Sequence, residues 1–328
     1  MNDHDHPAAD LHVPVLLDAV VEHLRPQAGL RVLDCTLGMG GHSAALLARG
    51  AAVVGVDRDG AARALATGRL AGFAGTFELR AGTFADVAEA AVKAGEHFDA
   101  VLADLGVSSL QLDDRERGFS LKSTVTADMR MDREHGETAL GLIDRLDESD
   151  LADVIYKYGE ERLSRRIARA LKAARAEGVS TGEELALVIR KVVPGHQPRH
   201  PAGRTFQALR IAVNDELGQL ERLLAILPEL LTPAGRAAII SFHSLEDRLV
   251  KQTLRAHASA GRLGRVANRV VIATQAELDA NPRASSAKLR WALKTDDRRD
   301  YHKADEAAET AETAEAAETE HDNEEDAP

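Results

Sequence analysis

The chain has 328 residues, 44% apolar and only 3% aromatic, enough for a sizeable core built mainly of Leu, Val, Ile and Ala. Its single cysteine, Cys35, excludes an intrachain disulfide and a cysteine-cluster metal site and fits a reducing, cytoplasmic setting, and no apolar run of about 18 residues predicts a transmembrane helix. The formal net charge of −12 sits at the end: residues 304–328 hold eleven acidic residues and no Lys or Arg, and taking these from 53 leaves 42 acidic against 41 basic residues. Residues 1–10 are polar, lack the basic and apolar regions of a signal peptide, and read as disordered. Leu16 to Leu24 reads as a short amphipathic helix. A strand through Val32 and Leu33 follows, then the turn Leu37-Gly-Met-Gly-Gly-His-Ser43, a helix from Ser43 to Arg49, and a second strand through Val53, Val54 and Val56 with Asp57 at its carboxyl end. Ala61 to Leu70 is helical, Thr76 to Leu79 is a third strand leading to Gly82-Thr-Phe84, and Phe98 to Leu105 is a strongly apolar fourth strand. This alternation argues for a doubly wound parallel sheet.

The pattern then changes. Residues 112–132 are polar and turn-rich. Residues 149–177 show helical spacing, with Gly159 and Gly178 as stops, and Thr181 with Glu184 is a capping-box pattern opening a helix that Pro194 ends. Asn214 to Leu227 reads as a further helix, Gly235 to Phe242 as a return to the sheet, and Val266 to Thr274 as the strand of its closing hairpin. The expected organisation is an α/β Rossmann-like domain over 11–112 and 213–302, an all-helical insertion over 113–212 serving RNA recognition, and a disordered acidic tail over 303–328 that aids solubility.

Gly38, Gly40 and Gly41 free the backbone for a close approach to a ligand at the carboxyl edge of the sheet, where open parallel sheets bind. A dinucleotide fingerprint would place glycine where Ser43 stands, and the Asp34 carboxylate would oppose a pyrophosphate. The same carboxylate favours the sulfonium and ammonium of S-adenosylmethionine, which is therefore preferred over a nicotinamide or flavin cofactor. Asp57 suits the ribose hydroxyls, Phe84 an adenine face, and Gln111 a hydrogen bond at the cofactor edge. Asp104, ending the fourth strand, stands next to the cofactor amine or the acceptor base. Cys35 is expected to pack as a small apolar residue.

Three basic stretches suit a phosphate backbone. No acid lies between Glu184 and Asp215 or between Asp247 and Glu277, and Lys157 to Arg175 holds seven basic residues against Glu160 and Glu161. In the basic turn-rich stretch from Arg199 to Gln207, Arg204 suits a phosphate and Phe206 an unpaired base. His243 is a general-base candidate, and Ser244 and Asp247 suit a helix cap. No spacing makes a persuasive metal site.

Together Asp-Cys-Thr-Leu-Gly-Met-Gly-Gly-His-Ser, Asp-Leu-Gly-Val-Ser-Ser-Leu-Gln-Leu-Asp, Arg-Gly-Phe-Ser, Asp-Met-Arg-Met-Asp, Tyr-Gly-Glu-Glu-Arg, His-Pro-Ala-Gly-Arg-Thr-Phe-Gln-Ala and Ser-Phe-His-Ser-Leu-Glu-Asp-Arg resemble the RsmH (MraW) family, from about His12 to Leu293. The resemblance implies a class I S-adenosylmethionine methyltransferase fold and an rRNA (cytosine-N4)-methyltransferase. Its implied substrate is a decoding-centre cytidine of 16S rRNA in the small ribosomal subunit. Implied cofactor positions are Gly40, Gly41, His42, Asp57, Phe84, Asp104 and Gln111. Leu37 and Met39 replace an aromatic and a basic residue usual in the family's glycine turn. Asp104 and Ser108 are the candidate catalytic groups, in place of the Pro-Pro-aromatic signature of amino-methylating DNA enzymes. His200, Arg204, Thr205, Phe206 and His243 are the candidate RNA contacts. No membrane partner is expected, and the sequence leaves a homodimer open. The alternatives are a methyltransferase with another acceptor and a non-catalytic ribosome-assembly factor.

Overall fold

The computed structural model describes residues 14–193 and 200–295. Both termini expected to be disordered, and Arg199 of the basic stretch, lie outside the described residues. In chain order the elements are α1 (Leu17–Leu24), β1 (Arg31–Asp34), α2 (Gly41–Leu47), β2 (Ala52–Asp57), α3 (Gly60–Arg69), β3 (Phe77–Ala81), α4 (Phe84–Lys93) and β4 (Phe98–Asp104). Then come α5 (Ser109–Asp113), α6 (Ala139–Arg145), α7 (Glu148–Gly159), α8 (Ser164–Ala176), α9 (Gly182–Val192), α10 (Gly203–Asn214) and α11 (Glu216–Leu230). The chain returns to the sheet with β5 (Leu231–Ser241), α12 (Ser244–Ser259), β6 (Arg265–Val266), α13 (Gln275–Ala280) and β7 (Lys288–Leu293).

The strands form one sheet in the order β3-β2-β1-β4-β5-β7-β6, with β1 to β5 parallel and β7 antiparallel to both of its neighbours. The chain runs outward through β2 and β3 and comes back to β4 beside β1, so the topological switch lies between β1 and β4. The crevice at their carboxyl ends is where such a sheet binds ligands. Side-chain alternation along the strands feeds two cores. Val32, Val53 and Leu102 pack with α1, α2 and α3, whereas Leu33, Val54, Val101 and Ile239 pack with α4, α11 and α12. A third core joins α6 to α10 through Ile143, Leu151, Ile155, Ile167, Leu171, Leu185, Ile189 and Leu209. The Thr181–Glu184 capping box forms in full at the start of α9. No described helix is long and apolar enough to cross a membrane.

The stretch after Phe84, for which the sequence carried no expectation, is a helix, α4, which buries Ala85, Ala88 and Ala91. Two sequence expectations need correction. The stretch expected as a loop from Arg199 to Gln207 is helical from Gly203, because Phe206, Ala208 and Leu209 face the third core. The strand expected over Val266 to Thr274 shrinks to β6 and one isolated bridge from Val271 to Leu289. The pairing that closes the sheet belongs to β7, whose pattern hid it: Arg290 is buried against Asp247 at 2.7 Å, and Trp291 stacks on His23 with centroids 5.4 Å apart.

Helices α7 and α10 pack closely because Gly159 has no side chain. A Cβ there would stand 2.6 Å from the Arg204 carbonyl oxygen, which is backbone and cannot step aside. Gly159→Ala is expected to cost about 1–3 kcal/mol, the usual penalty for overpacking. Urea denaturation of the purified variant measures it; an unchanged midpoint would mean that the two helices separate freely.

Candidate active site

The glycine turn is built on Asp34. Its carboxylate is buried and receives the Thr36 amide at 3.1 Å and the Ser43 hydroxyl at 2.6 Å. Ser43 thus replaces the expected third glycine to clamp the turn onto β1. Burial raises the Asp34 pKa to about 6 against these two bonds. This corrects its expected role, since Asp34 holds the loop from behind instead of lining the cavity. Gly40, with φ of +76°, turns the chain into α2, and a Cβ on Gly41 would meet Pro14 at 2.7 Å. Cys35 is buried, and burial raises its thiol pKa, as suits a packing role.

A cavity of about 430 Å³ opens at the carboxyl ends of β1, β2, β4 and β5. It is lined by Gly38, Gly41, His42, Asp57, Phe84, Asp104, Ser108 and Gln111 from the sheet side. Arg210, Asn214, Glu216, Phe242 and Glu246 line it from the side where the helical segment rejoins the sheet. The second group was missed in the sequence, because its members belong to helices and loops that meet only in the fold.

Asp57 accepts the Gly38 amide at 2.8 Å and the Asp59 amide at 2.8 Å, and burial raises its pKa despite both bonds. Phe84 opens α4 with one side on the sheet core and the other on the cavity. Gln111 is bonded at both ends of its amide: its Oε1 accepts the Ser108 amide at 3.0 Å, and its Nε2 donates to Asp59 at 3.1 Å. These bonds orient the amide, and its second Nε2 hydrogen and remaining Oε1 lone pair are left for a bond at the cavity that Gln111 lines. Ser108 is the N-cap of α5, its hydroxyl accepting the Gln111 amide at 3.3 Å.

Asp104 is the chemically distinctive group. Thr36 Oγ1 fixes its backbone by accepting its amide at 2.6 Å. Its Oδ2 lies 3.7 Å from His42 Nδ1, while His42 Nε2 is 2.9 Å from the Val15 carbonyl oxygen. Its Oδ1 is buried and has no hydrogen-bond partner among the described residues. Burial, reinforced by the charges of Asp34 and Glu246, pushes its pKa up to about 8. An unpaired acceptor in a negative field calls for a cation or an N–H donor. The sulfonium and ammonium of S-adenosylmethionine, or an exocyclic amine, fit that demand, and the glycine turn and Asp57 fit the rest of that cofactor.

The helical side of the cavity is held by ion pairs. Arg210 donates to both oxygens of Glu216 at 2.8 Å, and Glu246 accepts the Phe242 amide at 2.8 Å. Burial works against the Glu246 charge, but His243, Arg210 and that amide hold its pKa below the usual carboxylate range. Glu216, His243 and Glu246 bring possible metal-ligand atoms within 4.8 Å of one another. Of that set, Glu216 is taken by Arg210 and His243 Nδ1 receives the Glu246 amide at 3.3 Å, while His243 Nε2 stands buried 3.2 Å from Glu246 Oε1 with no hydrogen bond among the described residues.

The candidate RNA contacts do not gather in this cavity. Thr205 is fully buried and Phe206 is 5% exposed in the third core, so neither offers a surface to a base. Arg204 is bonded to the Glu160 carbonyl at 3.3 Å, and His200 Nδ1 accepts the Ala202 amide at 3.2 Å. His243 is itself the N-cap of α12, a role expected of Ser244 or Asp247. Ser244 instead donates to Glu160 at 2.9 Å, and Asp247 pairs with Arg290.

The sequence resembles known proteins over nearly all of the described chain. Proteins named ribosomal RNA small subunit methyltransferase H are similar to it in several bacteria. The one from Synechococcus sp. (strain CC9605) is 52% identical over 295 residues, covering 86% of this chain and 97% of that protein. The one from Rhodospirillum centenum is 46% identical over 310 residues, covering 88% and 93%. The one from Deinococcus radiodurans is 47% identical over 287 residues, covering 87% and 90%. With the model of the MraW methylase family matching residues 9–295, the chain belongs to that family.

Proposed function

We propose that this chain transfers a methyl group from S-adenosylmethionine to the exocyclic N4 of a decoding-centre cytidine of 16S rRNA, in the small ribosomal subunit. The observation that carries the reading is Asp104, a carboxyl with one buried, unpaired oxygen at the end of β4, in the same cavity as the glycine turn and Asp57. The names of the relatives, each a small-subunit ribosomal RNA methyltransferase, support the acceptor class.

When bound, S-adenosylmethionine supplies an electrophilic methyl carbon on a sulfonium leaving group. Asp57 would receive the ribose hydroxyls, Phe84 would flank the adenine, and the main chain at Gly40, Gly41 and His42 would leave room for the methionine end. Cytosine N4 is a weak nucleophile because its lone pair is delocalised into the ring. The Asp104 carboxylate would accept one N–H of this amine, which turns the lone pair out of conjugation and aims it. As the new N–C bond forms the nitrogen must lose a proton, and Asp104 holds it before release to water. Ser108, whose hydroxyl caps α5, is assigned no proton. The target base must leave its stack to reach this depth.

The test is methyl transfer to small subunits from a strain lacking the modification, with the rRNA digested to nucleosides and examined by mass spectrometry. New N4-methylcytidine at one position is the expected result. Cofactor binding with no modified nucleoside would overturn the reading in favour of a non-catalytic assembly role.

A further inference from the structure

We propose that the corner between α7 and α8 is a docking surface for single-stranded RNA flanking the target, with phosphates on Arg162, Arg165 and Arg166 and an unstacked base on Tyr156. The inference rests on the rRNA reading above and adds a second contact outside the cavity.

The first observation is how the basic residues of this region divide. Arg169 pairs with Glu148 at 3.0 Å, Arg175 with Asp144 at 2.6 Å, and Arg145 with Glu137 at 2.9 Å. Lys172 donates to the Ile143, Asp144 and Leu146 carbonyls at 2.8–3.0 Å. Lys157 lies over the Tyr158 ring at 5.0 Å. The side chains of Arg162, Arg165 and Arg166 are exposed, and none makes a hydrogen bond or ion pair among the described residues. Three unpaired guanidiniums this close repel one another, so their grouping does not serve the fold. It serves an anion that meets them together, and a guanidinium pairs bidentately with phosphate.

The second observation is Tyr156, 62% exposed on α7 beside these arginines. Between it and the three arginines lies a shallow depression of about 410 Å³, floored by Leu163 and Ser164, with Asp153 on its rim. An exposed aromatic ring next to unpaired arginines is the arrangement that binds single strands, the ring stacking a base and the cations following the backbone. The corner is also fixed to the catalytic edge. Glu160, just before Arg162, pairs with Arg248 at 3.0 Å and receives the Ser244 hydroxyl, both at the start of α12 after β5.

The experiment compares wild type, the double variant Arg165→Glu/Arg166→Glu, Tyr156→Ala and the control Arg169→Glu, an arginine that is already paired. Two quantities are measured for each: KM for unmodified small subunits, and the salt dependence of binding to a short single-stranded RNA oligonucleotide. The double variant is expected to raise KM about 10-fold or more and to lower the salt slope by about 2, one per lost phosphate contact. Tyr156→Ala is expected to weaken oligonucleotide binding about 5-fold or more without changing the slope. Cofactor affinity and thermal midpoint should stay at wild-type values throughout. Wild-type KM and slope in the double variant would overturn the surface, as would equal losses in Arg169→Glu, which would reduce it to general charge. Binding to anionic vesicles that exceeds binding to RNA, and is lost in the same double variant, would also overturn it in favour of a membrane. If the wild type binds the oligonucleotide through these residues but never methylates subunits, the rRNA methyltransferase reading fails while the surface stands.

Discussion

Asp104→Asn is expected to move activity and stability in opposite directions. The carboxyl is held near a pKa of about 8 by burial and by the charges of Asp34 and Glu246, against an ordinary 3.8. Between those two values the folded chain binds a proton that the unfolded chain has released. Stability from this group is therefore complete below about pH 4 and drains away as pH rises toward 8. An asparagine never ionises, so the variant escapes the loss, and near pH 7 it should be more stable by about 1–3 kcal/mol, with a flatter dependence of thermal midpoint on pH. Activity goes the other way. Asparagine still offers an oxygen to the amine but cannot hold its proton, and losing a general base costs about 10²–10⁴-fold in rate. In the wild type, kcat should rise with pH as Asp104 ionises. That rise should come at lower pH than in the free protein, because a bound cation favours the carboxylate. A variant that binds cofactor normally and methylates subunits at full rate would remove Asp104 from proton transfer, whatever its stability.

What the sequence showed of this molecule follows the range of the interactions involved. The strands β1, β2 and β4, the glycine turn and the α9 capping box are local patterns of apolar runs, glycines and side chains three residues apart, and they are read directly. Helix α10 was hidden by Pro201 and Gly203, which signal a turn to a local reading; only packing against α7 and the third core shows that Phe206 and Leu209 mark a helix. Strand β7 was hidden because its buried Arg290 resembles a surface charge until Asp247, 43 residues away, is seen to pair with it. The site divides in the same way. Asp57, Phe84 and Asp104 stand at strand ends or helix starts that the alternation places on one edge. Arg210, Glu216 and Glu246 reach the cavity through tertiary contacts with no sequence signature. The motif Asp128-Met-Arg-Met-Asp132 looks like chemistry but is architecture: Asn214 donates to the Met129 carbonyl and receives the Met131 amide, both at 2.8 Å, pinning the motif against the end of α10.

Arg117→Ala is expected to be the most destabilising single change near the cavity. Arg117 and Asp59 are 3% and 4% exposed, and the guanidinium grips both carboxylate oxygens, Nη2 to Oδ1 at 3.0 Å. Asp59 is also the N-cap of α3, receiving the Ala61 amide and the Gln111 side chain. One ion pair therefore ties the segment after β4 to the end of β2. Next to it Gly118 has φ of +71°, and a Cβ there would meet the Thr126 carbonyl at 2.5 Å, so the segment has no slack to rearrange around a lost contact. Removing the arginine leaves a buried carboxylate uncompensated, which costs about 3–5 kcal/mol. Cofactor affinity should fall too, because Gln111, Leu112 and Met131 line the cavity from the segment that Arg117 anchors. Arg117→Lys should recover part of the stability, since a single ammonium keeps the charge but cannot fork across both oxygens. Adding Asp59→Asn to Arg117→Ala should also recover part of it, because the double variant no longer buries a lone charge; the coupling energy measures the pair. Urea denaturation and calorimetric titration with cofactor read the two effects. If Arg117→Ala lost less than about 1 kcal/mol and bound cofactor as the wild type does, the ion pair would be incidental, and the cavity would owe its shape to the sheet alone.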